Sequence, residues 1–65
     1  MARINRIVFV GVQARDLSRH LRANGCKVAI HDNGVITTRS DKTAEQLTML
    51  AQQLKGCTVD VMFVG

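Results

Sequence analysis

The 65-residue sequence predicts a small α+β domain in which two helices cover one face of a four-stranded sheet. Short β-branched runs and two segments of helical spacing follow one another in the order β-α-β-β-α-β. The same short motif, Gly-Cys-x-Val, occurs at 25–28 and 56–59, where each helix is expected to end and the next strand to begin. Hydrophobic residues make up 46% of the chain, as in ordinary globular proteins. Residues 1–65 are therefore expected to form a single small domain.

The first strand and helix are predicted from 6–12 and 13–25. RIVFVGV is an apolar, β-branched run typical of a strand buried on both faces. QARDLSRHLRANG has helical spacing, and Asn24-Gly25 supplies a C-terminal stop. The helix is expected to turn one apolar side inward, formed by Ala14, Leu17 and Leu21.

The central strands are predicted at 26–32 and 35–39, with a tight turn between them. An Asn-Gly pair accepts the positive φ angles of a type I′ turn, so Asn33-Gly34 is expected to close a hairpin. A turn accounts for Asn33 and Gly34 without any catalytic role, and His31 and Asp32 are then expected to end the preceding strand.

A second helix is predicted from the capping residues Ser40-Asp41 to Lys55, followed by a strand at 57–65. Right-handed crossovers then give a ferredoxin-like two-layer sandwich with sheet order 4-1-3-2 and both helices on one face. The inward positions of this helix are predicted to be Ala44, Leu47, Leu50, Ala51 and Leu54.

Strand alternation divides the sheet into a core face and an open face. The core face is predicted to carry Ile7, Phe9, Val28, Ile30, Ile36, Val59, Val61 and Phe63. The alternative is a reversed phase of the first strand, which is apolar on both faces. The open face is apolar and edged by Lys27, His31, Arg39 and Asp60, and a contiguous apolar patch seldom stays in contact with water. A homodimer through the open face is therefore expected. The predicted interface consists of Val8, Val10, Val35, Thr37 and Met62.

Basic residues are concentrated in the first part of the chain. The net charge is +4, and residues 1–27 carry six basic side chains against one acidic one. At about 100° per residue, Arg15, Arg19 and Arg22 fall on one side of the first helix, away from its apolar side. This arrangement suits phosphate groups, so these arginines and Lys27 are predicted to bind nucleic acid without sequence specificity. The alternative is a solvated helix face with no function.

Metal and nucleophile chemistry is not predicted. Cys26, Cys57, His20 and His31 lack the spacing of a zinc site. The two cysteines begin strands at opposite edges of the predicted sheet, about 14 Å apart, which is too far for a disulfide. They are expected to be buried thiols. Because no nucleophile–base pair or paired carboxylates are brought together, no catalytic residue is assigned.

The segment 6–32 resembles, in outline, the first β-α-β unit of a dinucleotide-binding domain, with Asp32 following at the expected distance. Gln13 and Asp16 stand where that fingerprint has two further glycines, and Asp16 would repel a pyrophosphate. No cofactor is predicted.

The sequence therefore predicts a non-enzymatic regulator, small, basic and homodimeric, that contacts nucleic acid. The alternative is a protein-binding module or inhibitor that docks a partner through its open sheet face or its second helix, where Met49 faces outward. No apolar run approaches the roughly 18 residues of a membrane span, and no secretion signal is visible. A cytoplasmic location without membrane contact is expected.

Overall fold

The computed structural model describes residues 1–65 and contains four strands and two helices, which confirms the predicted α+β class. In chain order the elements are β1 (Arg3–Val10), α1 (Ala14–Ala23), β2 (Lys27–Ile30), β3 (Ile36–Ser40), α2 (Ala44–Gln52) and β4 (Thr58–Phe63). The strands form one sheet in the order β2-β3-β1-β4, and every neighbouring pair is antiparallel. Neither α1 nor α2 has the length and the apolar character that crossing a membrane requires.

A single core cluster joins both helices to the same face of the sheet. Leu17 and Leu21 of α1 and Leu47 of α2 are fully buried in it with Ile7 and Ile36 of the two central strands. The opposite face of the sheet is left open. The alternation of β1 explains this division, because Ile7 is buried while its neighbours Arg6 and Val8 are exposed. The prediction that this strand is buried on both faces is therefore wrong, because the helices cover only one face of the sheet.

Polar side chains also lie in the core, which the sequence did not predict. Asn5 and Thr38 are directly opposite each other on β1 and β3, and each is 1% exposed or less. Ser18 of α1 is equally buried. The side-chain polar atoms of these three residues have no hydrogen-bond partner, an arrangement that lowers stability.

The first strand begins three residues earlier than predicted. It starts at Arg3 and ends at Val10, because Gly11 turns the chain with a φ of 92°. The backbone of Gly56 approaches there so closely that a Cβ on Gly11 would stand 1.8 Å from the Gly56 oxygen. Only glycine fits where these two backbone segments approach each other. The strand ends before this turn, so Val12 lies outside it.

The hairpin is at the predicted place but is not a type I′ turn. Such a turn needs a positive φ at both central residues, and only Gly34, at 81°, has one. His31 and Val35 form the closing pair: the His31 amide donates to the Val35 oxygen at 2.9 Å, and the Gly34 amide donates to the His31 oxygen at 2.9 Å. A three-residue connection with glycine in the left-handed region results, and the Asn33 side chain accepts from the Val35 amide at 3.1 Å.

The second helix is capped by Thr43, not by Ser40 or Asp41. The Thr43 hydroxyl accepts from the Gln46 amide at 3.2 Å, and the Gln46 side chain accepts from the Thr43 amide at 2.8 Å. This reciprocal capping box fixes the start of α2. Ser40 belongs instead to β3 and is buried. The helix ends at Gln52, short of the predicted Lys55.

Two of the predicted core residues are exposed. Ile30 and Phe63 retain 47% and 58% of their accessible surface. Each is the last residue of its strand, and each lies opposite a buried residue, Ile36 and Asn5 respectively. The alternation therefore assigns them to the correct face, but the core does not extend over these strand ends.

Candidate nucleic-acid interface

Helix α1 presents its three arginines to solvent. Its opposite side is fixed by Leu17, Ser18 and Leu21, which are buried against the sheet. Arg15, Arg19 and Arg22 follow one another at intervals of four and three residues and are all exposed, so they form one row on the helix surface. At a rise of about 1.5 Å per residue the row is roughly 10 Å long. Three guanidinium groups over this length can contact more than one phosphate of a nucleic-acid strand.

Arg22 connects this row to the edge of the sheet. One of its Nη atoms donates to the main-chain oxygen of Val28 in β2 at 3.1 Å. Because β2 is an edge strand, this carbonyl has no strand partner on its outer side. Arg22 therefore has a structural role as well as an exposed charge.

Lys27 also lies on the edge strand β2, but on the face of the sheet opposite the helices. It is the first residue of β2 and alternates with Val28, which packs against the core. Its side chain therefore belongs to the open face of the sheet, whereas the arginine row belongs to the helical layer. The structure thus divides the four predicted nucleic-acid residues between two surfaces that meet at β2.

Arg39 is a cation that the predicted site omits. It lies directly opposite Lys27 in the pairing of β2 with β3, and opposite Ile4 in the pairing of β3 with β1. Two like charges in directly opposed positions repel each other. A shallow depression of about 240 Å³ lies between them, and its lining includes Ile4, Lys27, Ala29, Thr37 and Arg39. The sequence placed Arg39 at the edge of the open face, but it did not assign this residue to the nucleic-acid site.

The cations of the chain are not neutralised by its own carboxylates. The one ion pair joins the amino group of Met1 to the carboxylate of Asp41 at 3.3 Å, and both groups are exposed. No lysine or arginine side chain lies within 4.0 Å of a carboxylate oxygen. The positive potential of α1 and of the open face is consequently available to an external anion.

The open face of the sheet, which the sequence predicts as the dimer interface, has exposed apolar side chains at one side and an arginine at its centre. Val8, Val10 and Met62 are exposed on the open face, while Val35 and Thr37 are half-buried. Arg6 separates them, because it pairs with Thr37 on one side and with Met62 on the other. Face-to-face docking of two copies would thus bring a cation at the centre of each face into the interface. This arrangement is costly unless the charge finds a partner.

The cysteines and histidines have structural surroundings. Cys26 and Cys57 are buried free thiols, as predicted from the sequence. Burial raises the pKa of the Cys57 thiol, which lowers its thiolate fraction at neutral pH. The ring Nε2 of His20 contacts the Leu50 oxygen at 2.9 Å and so joins α1 to α2, while that of His31 contacts the Thr37 hydroxyl at 2.9 Å. No group of three His, Cys, Asp or Glu side chains is close enough to hold a metal ion.

Comparison of the chain with protein-family models, with curated proteins and with solved structures finds no match. Its function is therefore inferred from its own surfaces.

Proposed function

We propose that this chain is a small, non-enzymatic regulatory module of the cytoplasm that binds the phosphates of nucleic acid through the arginine row of α1, with Lys27 as an accessory contact. One observation carries the proposal: Arg15, Arg19 and Arg22 are exposed in a single row and none is paired with a carboxylate. Phosphate contacts of this kind give affinity without sequence readout. Regulation then follows from occupancy of the nucleic acid.

A ferredoxin-like sandwich is the fold we propose for this module. The sheet order β2-β3-β1-β4, which is 4-1-3-2 when counted from β4, supports it, as does the presence of both helices in one core cluster. This architecture holds the arginine row on a helix that is packed against one side of the sheet.

The test uses two variants with the same change in net charge. R15E/R19E reverses two members of the row and leaves the Arg22 contact with Val28 intact. K42E/K55E reverses two lysines outside the row. Binding to a short single strand and a short duplex of random sequence is measured by fluorescence anisotropy over a range of salt concentrations.

R15E/R19E is expected to abolish most of the binding. The slope of log affinity against log salt should fall by about 0.7–0.9 for each phosphate that the variant no longer neutralises. K42E/K55E should retain the slope and most of the affinity. If both variants lose affinity equally, the effect is one of net charge and the row is not the site. If the wild type shows no salt-dependent binding, nucleic acid is not the ligand.

A second candidate function is docking of a protein partner, including a second copy, on the open face formed by Val8, Val10, Val35, Thr37 and Met62. It is favoured by the exposed apolar side chains there, of which Val10 is 63% exposed. Met49 on α2, at 69%, offers a smaller apolar contact. A charged residue at position 10, as in V10E, should prevent docking on this face because the charge would be buried in an apolar contact. Sedimentation of V10E and of the wild type over a range of concentrations measures the effect on self-association.

A further inference from the structure

The two edges of the sheet differ in how they are protected. β2 is four residues long, and the Arg22 side chain covers its outer main chain at Val28. β4 is six residues long, and no side-chain hydrogen bond of the protein reaches its main chain. Proteins usually shorten, charge or cover an edge strand, because an open one pairs with another chain. β4 has only one charged residue, Asp60.

The main-chain groups that β4 leaves unpaired can be assigned from the register. The Val64 amide donates to the Ile4 oxygen at 2.9 Å, and the Ile4 amide donates to the Gly65 oxygen at 2.6 Å. Hydrogen-bonded and non-hydrogen-bonded positions alternate along an antiparallel pair. Met62, Asp60 and Thr58 consequently direct their main-chain groups toward β1. The main-chain amides and carbonyls left facing the free edge are those of Val59, Val61 and Phe63.

We propose that β4 is the docking site for a second copy of this chain, whose β4 pairs with it antiparallel about a two-fold axis at Val61. In this register Val61 lies opposite its own counterpart, and Val59 lies opposite Phe63 of the other copy. The exposed Phe63 side chain, which the core leaves 58% exposed, thereby gains a cross-strand contact with a valine. The free main-chain groups of the three residues all find partners.

Charge complementarity favours this register over one with its two-fold axis at Asp60. Asp60 of one copy lies opposite Met62 of the other, on the open face. The guanidinium of Arg6 already lies over Met62, with Nη2 3.4 Å from its sulfur, and it has no carboxylate partner in its own chain. Arg6 of one copy and Asp60 of the other therefore meet across Met62, twice by symmetry. A two-fold axis at Asp60 would instead place two carboxylates in directly opposed positions, which is destabilising.

The proposed dimer is distinct from docking on the open face. The local two-fold axis of an antiparallel strand pair stands perpendicular to the sheet, so both open faces lie on one side and remain accessible. The helices, with the arginine rows of α1, lie on the other side. The inference does not depend on the proposed phosphate binding, because none of its residues belongs to the arginine row.

The test mixes two charge reversals, R6D and D60R. Each variant alone sets like charges against each other at both symmetry-related places, and its dimer should weaken by at least about tenfold. An equimolar mixture should dimerise again, because the mixed dimer has an opposite-charge pair at both places. A pair within one chain could not be restored by mixing. Sedimentation velocity measures association, and far-UV circular dichroism verifies folding.

V10E is the matched control, since Val10 lies on the open face and outside the β4 pairing. It should leave the dimer intact. A second measurement needs no variant: amide hydrogen exchange of Val59, Val61 and Phe63 should slow as the wild-type concentration rises, while that of Asp60 and Met62 should be slow throughout. The inference is overturned if the wild type stays monomeric at its highest soluble concentration. It is also overturned if V10E alone dissociates the dimer, or if mixing does not restore association.

Discussion

Replacing Thr38 by valine should stabilise the protein, although it removes a polar group from a β-strand. Thr38 is 1% exposed, and its hydroxyl has no hydrogen-bond partner. Its cross-strand neighbours are Asn5 on one side and Val28 on the other. Valine has nearly the same volume and the same β-branched shape, so the T38V variant creates neither a cavity nor a steric conflict.

The magnitude follows from the cost of burying an unpaired hydroxyl. Protein substitution data place that cost at about 1–3 kcal/mol. The free energy of unfolding of T38V should therefore rise by roughly 1 kcal/mol or more. For a domain of this size each kcal/mol corresponds to roughly 4–8 °C in Tm. Urea unfolding at constant m-value and thermal unfolding, both followed by circular dichroism, measure the change.

Thr58 supplies the control, because it is an exposed threonine of β4 with no side-chain hydrogen bond. T58V should stay within about 0.5 kcal/mol of the wild type. If T38V is less stable than the wild type, its hydroxyl makes a favourable contact, for which Asn5 is the candidate. A double-mutant cycle of T38V with N5A would then show a coupling above about 0.5 kcal/mol, and the assumption of an unpartnered hydroxyl would be wrong.

Three further predictions concern the backbone, the cap and the Cys57 thiol. G11A should lower the free energy of unfolding by more than about 2 kcal/mol, because it combines strain at positive φ with overlap of the new Cβ on the Gly56 oxygen. G34A is the control, because no atom lies within 4 Å of a Cβ at that position. Its cost in urea unfolding should be only about 1–2 kcal/mol. T43A should cost about 1 kcal/mol through loss of the capping box, visible as a lower urea midpoint. Since burial raises the pKa of the Cys57 thiol above its value in the unfolded chain, the stability contributed by the neutral thiol is present below the unfolded pKa and is lost as pH rises through the folded pKa. The free energy of unfolding should therefore decline from neutral to alkaline pH, and the decline should be smaller in the C57A variant.

The order of the elements could be predicted from local periodicity, whereas the phase of the first strand could not, because its run is apolar in both alternating sets of positions. Val8 and Val10 are exposed and Ile7 is buried, as alternation requires. Asn5 could not be placed in the same way. It is in phase with Ile7, but a polar residue between Arg3 and Arg6 gives no signal of burial, and the apolar run that marks the strand begins only after it.

The hairpin shows where two sequence signals conflicted. A two-residue turn at Asn33-Gly34 would place Val28 opposite Arg39, so that an arginine and a core valine would share one face of the sheet. The three-residue connection shifts the register by one residue and pairs Val28 with Thr38, which leaves Arg39 opposite Lys27 on the open face. The burial pattern of the strands therefore decides the loop length, and the Asn-Gly signal alone is not sufficient.

Several groups in this small domain lower its free energy of unfolding, and ligand binding would raise it. Unpartnered polar atoms lie in the core, and Lys27 and Arg39 repel each other across β2 and β3. A domain of this length has little stability in reserve. Anything that binds only the folded chain adds stability by mass action, about 2.7 kcal/mol when its free concentration is a hundred times its Kd. A phosphate polymer would do so by neutralising the cations, and a second copy would do so by pairing with β4. Binding of a phosphate polymer should raise Tm, and added salt should suppress this increase. Pairing with a second copy should raise Tm as the protein concentration increases. Thermal unfolding at varied salt and varied protein concentration therefore distinguishes the two ligands.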